Sequence, residues 1–425
     1  MAHSMPRLDV LRGAATPTAY RSGFWGMARI GPRPGTEPRV LALRARLQDG
    51  SETTAELGRV AVTEPPAPVS DAAPEVAICM AAYEPPLELF QRQVHTIRAQ
   101  TQRDWICVIS DDGSSPERLA AMQRVLAGDA RFVLSRSPRR LGFYRNFERA
   151  LSLAPARARY VTMADQDDAW HPDKLATLLA EIGGARLVYS DARIVRADGR
   201  LVAATYWGLR RNNHADMSAL LITNSVTGAA SLFPRALLDD ALPFPPAQFA
   251  HFHDHWIALC ARATGAIRYV DRPLYDYVQH GSAFVGHAKA NRMPGLLERF
   301  ASLRRDPRER LRMWRMHYFI DACRLIQFAT VLQQRCGDRM GAPQRGALER
   351  FLRADTSVAP LGRLAVNGAR EVVGQRRETL GGEWMLLHAF GWRHLVDANV
   401  RDRPQRRLRL DAVPPPPLDP TRRLG

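Results

Sequence analysis

Residues 75–115 read EVAICMAAYEPPLELFQRQVHTIRAQTQRDWICVISDDGSS, and this stretch decides the fold. VAICMAA (76–82) is a short apolar run, which suits a buried strand. LELFQRQVHTIRAQ (87–100) repeats its apolar residues at helical spacing, with Leu87, Phe90, Val94 and Ile97 on one face. WICVIS (105–110) is a second buried strand, and it runs straight into Asp111-Asp112-Gly113-Ser114. Strand, helix and strand at this spacing form a βαβ unit, and such units build parallel sheets.

Downstream the alternation continues. Ser115-Pro116 opens a helix through Met122 and Leu126, with Pro in the first turn. RFVLS (131–135) is a third strand, FYRNFERALSL (143–153) a helix and RYVTMA (159–164) a fourth strand. Pro172 starts a helix with Leu175, Leu178, Leu179 and Ile182 inward, and RLVYS (186–190) is a fifth strand. The expected fold class is α/β: a Rossmann-like, mainly parallel sheet with helices on both faces. Ligands bind such sheets beyond the carboxyl ends of the strands. Acidic residues stand at those ends: Asp111-Asp112 after strand two, Asp165-Gln166-Asp167-Asp168 after strand four, and Asp191 after strand five. A single Asp there is an ordinary helix cap. Carboxylates gathered at neighbouring ends repel one another unless a cation sits among them. Hard divalent ions such as Mg²⁺ or Mn²⁺ prefer oxygen ligands and bridge diphosphates.

Upstream, residues 1–38 are irregular and rich in Pro and Gly. RVLALRARLQDG (39–50) followed by ELGRVAV reads as a hairpin turning at Asp49-Gly50, and TEPPAPVSDAAP (63–74) as a linker. Residues 291–410 read as helices. In the run from Pro307, Leu311, Trp314, Tyr318, Ala322 and Leu325 share a face. The Pro- and Arg-rich tail is expected to be disordered. Four regions follow: 1–73, an extension with a small β module; 74–290, the α/β domain; 291–410, a helical region; and 411–425, the tail.

Charge and cysteine content narrow the function classes. The 425-residue chain carries a net charge of +17 and has only two lysines, Lys174 and Lys289, among 60 basic residues. From residue 295 onward 25 arginines face 14 acidic residues, a net of +11. That excess suits anionic lipid headgroups or nucleic acid, or a merely solvated helical surface; the helices suggest docking on an anionic membrane or, equally, packing on the α/β domain. There is no zinc-finger or RNA-recognition signature, so nucleic acid is not an expected partner. The five cysteines lack metal or redox spacing. No 18-residue apolar run and no apolar leader occurs, so a cytoplasmic location is expected, with peripheral contact at the inner face of the cell membrane.

Taken in order, VAICMAAYEPP, WICVISDDGSSP, LGFYRNFERAL and YVTMADQDDAWHPDKL resemble the family 2 inverting glycosyltransferases of the GT-A fold. NSVTGAASLFP (224–234), HDHWIAL (253–259) and PLYDYVQHGSAFVG (273–286) extend the resemblance to the rhamnosyltransferase-like branch that builds bacterial cell-surface polysaccharides. The resemblance implies a dTDP- or UDP-linked sugar donor, a saccharide or lipid-linked acceptor, and Mg²⁺ or Mn²⁺ as cofactor. It assigns Ala81, Tyr83, Glu84 and Asp111 or Asp112 to the nucleoside, and Asp165, Asp167 and Asp168 to ribose and metal. Arg145 would face the diphosphate, His280 the diphosphate or metal, and Thr227 and Gly228 the acceptor. Asp254 would be the catalytic base. For Asp254 the alternative is a pairing with His253, His255 or a nearby Arg, and for Arg145 one with Glu148. The chain departs from the family at Ala82, Glu84 and Ser282-Ala283, where Thr, Asn and Asn are usual. A non-catalytic nucleotide-sugar or polysaccharide-binding protein of the same fold is the second reading, and retention of the strand-four carboxylates and Asp254 argues against it.

Overall fold

The computed structural model describes residues 2–5, 23–26, 38–46, 49–60, 66–207, 211–246, 251–279, 306–372 and 378–402. The chain divides into two compact units. One comprises residues 1–27 and 393–425, where strands β1 (Ala2–Met5) and β2 (Gly23–Gly26) pair antiparallel. The other spans residues 28–392.

Strands β3 (Arg39–Arg46) and β4 (Glu52–Val60) form the expected hairpin. Its turn uses Gly50 at φ +83°, while Asp49 accepts from Ser51 N at 2.9 Å. Val40, Leu41 and Leu57 are exposed, so the ribbon has no core of its own.

The central sheet has nine strands: β5 (Val76–Ala82), β6 (Trp105–Asp111), β7 (Phe132–Arg136), β8 (Tyr160–Asp165), β9 (Ala169–Trp170), β10 (Leu187–Arg196), β11 (Leu201–Ala203), β12 (Ser231–Pro234) and β13 (Ile267–Gln279). The spatial order is β7-β6-β5-β8-β12-β10-β13-β9, with β11 beside β10. From β7 to β8 all pairings are parallel, as the βαβ spacing dictates. Beyond β8 the sheet is mixed: β12 runs antiparallel between β8 and β10, and β10 is again parallel to β13.

Helices α1 (Leu87–Arg98), α2 (Pro116–Leu126), α3 (Phe143–Ser152) and α4 (Lys174–Ile182) connect the strands. α1 buries Leu89, Phe90, Val94 and Ile97, and α2 opens with the Ser115 side chain accepting from Arg118 N at 3.3 Å. Between them lies a core of Val76, Ile78, Met80, Val108, Ile109, Val161 and Met163.

The fifth strand does not stop at residue 190. β10 continues to Arg196, and Asp191 falls at an irregularity within it rather than at its end. A charged residue interrupts the apolar pattern without ending the strand, because its carboxylate is taken up by neighbouring backbone (below).

α5 (Met217–Ile222) precedes the turn at Thr227–Gly228, and α6 (His253–Thr264) buries nearly every residue. The C-terminal helices are α7 (Pro307–Met316), α8 (Cys323–Cys336), α9 (Ala342–Arg353), α10 (Leu361–Val372) and α11 (Gly382–Asp402). Of the two expectations for this region, packing on the α/β domain holds for α8. Phe328 lies 5.3 Å from the Trp256 ring, and Arg335 donates to the Asp240 and Ala241 carbonyls at 3.2 and 2.9 Å. None of the five cysteines is in a disulfide, and all are buried. Among the described residues no helix is long and apolar enough to cross a membrane. The tail expected to be disordered, 411–425, lies outside the described residues.

Candidate active site

Register places the acidic residues side by side. Ala82 pairs with Asp111 across β5 and β6, and Ala81 pairs with Asp165 across β5 and β8. Three strands therefore end level with one another at one edge of the sheet.

At the β5–β6 end, polar atoms are tied into the backbone. Asp111 is fully buried; its carboxylate accepts from Ser114 N at 3.2 Å and lies 3.7 Å from Arg136 Nε. Asp112 accepts from Leu141 N at 2.5 Å and Gly142 N at 2.9 Å, fixing the loop before α3. Asn146 on α3 donates to the Ala82 carbonyl at 3.2 Å and the Ser110 carbonyl at 2.9 Å. Tyr83 exchanges hydrogen bonds with the Gln166 amide at 2.8 and 3.3 Å, which joins the first strand end to the acidic segment. Arg140 lies 3.8 Å over the Tyr83 ring and donates to its hydroxyl at 2.6 Å. Glu84 adopts φ +41°, a region unfavourable for a side chain of this length, and is held there by two bonds. Its N donates to Ser114 Oγ at 2.9 Å, and its carboxylate accepts from Ser115 N at 2.5 Å.

Asp165, Asp167 and Asp168 form one electrostatic group. Burial, then Asp167, then Asp254 push Asp165 up to about 7, with Lys174 pulling the other way. Burial raises Asp168 well above the carboxylate range, and Asp165 and Asp167 add to it. Asp168 Oδ1 accepts from Val278 N at 3.3 Å, while Oδ2 is buried with no hydrogen-bond partner. Among the described residues no three Asp, Glu, His or Cys side chains converge as a self-sufficient metal cage.

Lys174 also belongs to this cluster; burial pushes it well below the usual lysine range, with Asp168 and Asp165 pulling the other way. It is fully buried, donates to the Ala229 carbonyl at 2.5 Å and lies 3.4 Å over the Trp170 ring. Its signal was present: one of two lysines in a chain of 60 basic residues, six positions past Asp168. A guanidinium is bulkier than the ammonium that fits this slot.

Asp254 stands in the first turn of α6, where a carboxylate is favoured by the helix N-terminus. It accepts from His255 N at 2.7 Å. Burial pushes it up to about 6 against hydrogen bonds from the His255 and Gly228 backbone and the Asn224 side chain. His253 does not pair with it; that ring stacks on Phe147 with centroids 3.7 Å apart, and burial lowers it to about 3, so it is neutral. Gly228 faces Asp254 and His253 directly, and Thr227 Oγ1 accepts from the buried Tyr275 hydroxyl at 3.4 Å. The structure thus brings Asp165, Asp167, Asp168, Asp254 and Gly228 together. Arg145 is engaged elsewhere, with Glu148 at 2.5 Å and the Phe244 and Pro245 carbonyls at 3.2 Å each. His280 lies outside the described residues.

Residues 77–241 match the family model described as Glycosyl transferase family 2. The matched segment holds the strand-end carboxylates, Thr227 and Gly228; Asp254 and His280 lie beyond it. A search of curated proteins gave no match. Similar solved structures include TarS from S. aureus, at 14% identity and TM-score 0.42, covering 65% of this chain and 52% of that one. This chain thus spans about half the length of TarS. TarS 1-349 in complex with UDP-GlcNAc gives 15% identity and TM-score 0.44, with coverages of 77% and 91%. Mannosyltransferase PcManGT from Pyrobaculum calidifontis, in complex with GDP-Man and Mn2+, gives 16% and 0.40, with coverages of 78% and 87%.

Proposed function

We propose that residues 74–290 transfer a sugar from a nucleoside diphosphate to an acceptor hydroxyl, with inversion at the anomeric carbon. The observation that carries this reading is the pairing of a carboxylate poised for proton transfer with an acidic cluster. Asp254, raised to about 6, is ionised at neutral pH yet basic enough to take a proton from an attacking hydroxyl. The hydroxyl oxygen bonds to the anomeric carbon as the bond to the diphosphate oxygen breaks, and the nucleoside diphosphate leaves with the electron pair.

The donor's nucleoside belongs at the β5–β6 end, against Ala81, Tyr83, Glu84 and the Asp111–Asp112 loop. The rigid ties of Asp112 and Glu84 support this, since a preformed pocket loses less entropy on binding. A divalent ion fits the cluster: the charges of Asp165 and Asp167 bear on Asp168, and one buried Asp168 oxygen has no hydrogen-bond partner. Asp167 and Asp168, with Asp165, would hold Mg²⁺ or Mn²⁺, the diphosphate supplying further oxygens. When bound, the ion offsets the charge that develops on the leaving group. Thr227 and Gly228 line the acceptor side.

The basic C-terminal helices support peripheral contact with an anionic membrane, where lipid-linked acceptors reside. Arg308, Arg312, Arg345, Arg350, Arg353, Arg363 and Arg370 are exposed, while Arg335 and Arg339 are bound to the Asp240 region. Cell-surface polysaccharide synthesis, with rhamnose among the candidate sugars, is the setting this favours. A screen of dTDP-, UDP- and GDP-sugars for binding and turnover with Mg²⁺ or Mn²⁺ tests the assignment. Binding of one donor class with release of its nucleoside diphosphate supports it; no interaction with any donor contradicts it.

A further inference from the structure

The turn that opens α11 is held against the loop that carries Asn224 to Gly228. Asn213 Nδ2 donates to the Glu378 carbonyl at 3.2 Å and to the Thr223 carbonyl at 2.6 Å, so one buried amide bridges the two segments. Thr223 Oγ1 donates to the Thr379 carbonyl at 2.9 Å, and Asn213 N donates to Ser225 Oγ at 3.2 Å. The approach is close. A β-carbon on Gly382 would overlap Ile222 Cγ2 and lie 3.1 Å from Thr223 Oγ1.

The turn itself is strained and braced. Leu380 adopts φ +52°, a region unfavourable for a bulky side chain, and Gly381 follows at φ +84°. Such a backbone persists where its surroundings over-determine it. Two buried carboxylates do so here. Glu371 of α10 accepts from Gly381 N at 2.7 Å, and Glu383 of α11 accepts from the Thr379 hydroxyl. Within the loop, the Asn224 side chain closes an Asx turn, accepting from Val226 N at 2.9 Å and donating to the Val226 carbonyl at 2.7 Å. That same side chain hydrogen-bonds Asp254, as does the Gly228 backbone. Asn224 thus stands between Asp254 and Thr223, which grips the C-terminal turn.

We propose that Asn213 and Thr223 are positioning residues, which seat the 223–228 loop on the braced turn 378–382 and so fix Asn224 and Gly228 on Asp254; this rests on the reading of Asp254 as the base. The C-terminal helices then take part in transfer without supplying a group that touches substrate. A base that shifts loses its alignment with the attacking hydroxyl. Loosening the loop also weakens the two bonds that lower Asp254, so burial raises it further. Asp165, whose charge couples to Asp254, and the His253 and His255 rings beside it are left in place when Asn213 or Thr223 is replaced.

The test compares full-length wild type, Thr223→Val, Thr223→Ser, Asn213→Ala and Asp254→Asn. Release of nucleoside diphosphate from UDP-, GDP- and dTDP-sugars with Mn²⁺ is followed from about pH 5 to 8, and donor affinity is titrated in parallel. The expected result is turnover at least roughly fivefold lower in Thr223→Val and Asn213→Ala, with donor affinity within about twofold of wild type. The acid limb of turnover should move to higher pH in both variants, and Thr223→Ser, which keeps the hydroxyl, should restore most of the loss. The two variants break different bonds to the same turn, so either reports where the other does not fold. A merely structural role would lower stability and leave the acid limb in place. An unmoved acid limb with wild-type turnover in both variants overturns the proposal, as does donor affinity lost in step with turnover. If Asp254→Asn turns over like wild type, or wild type turns over no donor, the reading of Asp254 falls and the proposal with it. If Asp254→Asn is inactive while Thr223→Val and Asn213→Ala match wild type, the proposal alone falls.

Discussion

A β-carbon added to Gly228 would meet His253 Nε2 at 2.9 Å, and Asp254 Cβ would lie 3.5 Å from it. The turn that donates its backbone N–H to Asp254 therefore has room for hydrogen only. Its other end is fixed by Lys174 on the Ala229 carbonyl. Through these contacts the acidic cluster and the proposed base are parts of one packed unit.

Gly228→Ala should therefore displace α6 at its first turn. Overpacking of this kind costs about 1–3 kcal/mol. A shift of the base by about 1 Å can lower turnover by about a hundredfold. Urea unfolding and single-turnover kinetics on the purified variant check both figures. Unchanged turnover would mean that Asp254 does not act from this position.

His253 makes a prediction about acid stability. Its folded-state pKa of about 3 lies below the 6.5 of a solvated imidazole. As pH falls through 6.5 the unfolded chain takes the proton first, so stability is lost by up to about 1.4 kcal/mol per pH unit. His253→Phe, which keeps a ring on Phe147, removes this term. The urea midpoint of the variant should fall less than that of wild type between pH 6.5 and 5. Parallel pH curves would show that the imidazole is protonated in the fold.

Turnover should require Mg²⁺ or Mn²⁺, and Asp168→Ala should lower it by at least roughly tenfold, because the leaving diphosphate needs a counter-charge. Donor titrations with and without chelator measure the dependence. Full turnover in excess chelator would remove the ion from the account.

The sequence made the first half of the domain legible and the second half less so. Parallel βαβ spacing and apolar periodicity located β5 to β8 because β5, β6 and β8 are buried on both faces and all four lie side by side in the sheet. The insertion of β12 between β8 and β10 depends on long-range pairing, which leaves no local periodicity. Asp191 looked like a strand end because charge normally stops a buried strand; here three donors neutralise the interruption. Asp254 and the β8 carboxylates were readable as a motif, whereas Lys174 was visible only as a rare residue type. The resemblance assigned Arg145 to the diphosphate; here Glu148, three residues on, holds the guanidinium.

The exposed arginines of α7, α9 and α10 predict salt-sensitive association with anionic vesicles. Each basic residue near such a surface contributes roughly 1 kcal/mol, and the screening length shrinks from about 30 Å at 0.01 M salt to about 8 Å at 0.15 M. Co-sedimentation with phosphatidylglycerol vesicles should weaken steeply over that range. Replacing Arg363 and Arg370 by Glu should weaken it further. Equal binding to neutral vesicles would assign these helices a different partner.

The most direct test of sugar transfer from an activated donor is turnover and donor affinity of wild type beside Asp254→Asn, across pH 5 to 8. The substitution keeps the shape of the side chain and removes its capacity to accept a proton. The account predicts that wild-type turnover rises through about pH 6 as Asp254 ionises, and that Asp254→Asn binds donor nearly as well while losing most turnover. Turnover retained in Asp254→Asn, or donor affinity lost in step with it, would contradict the account.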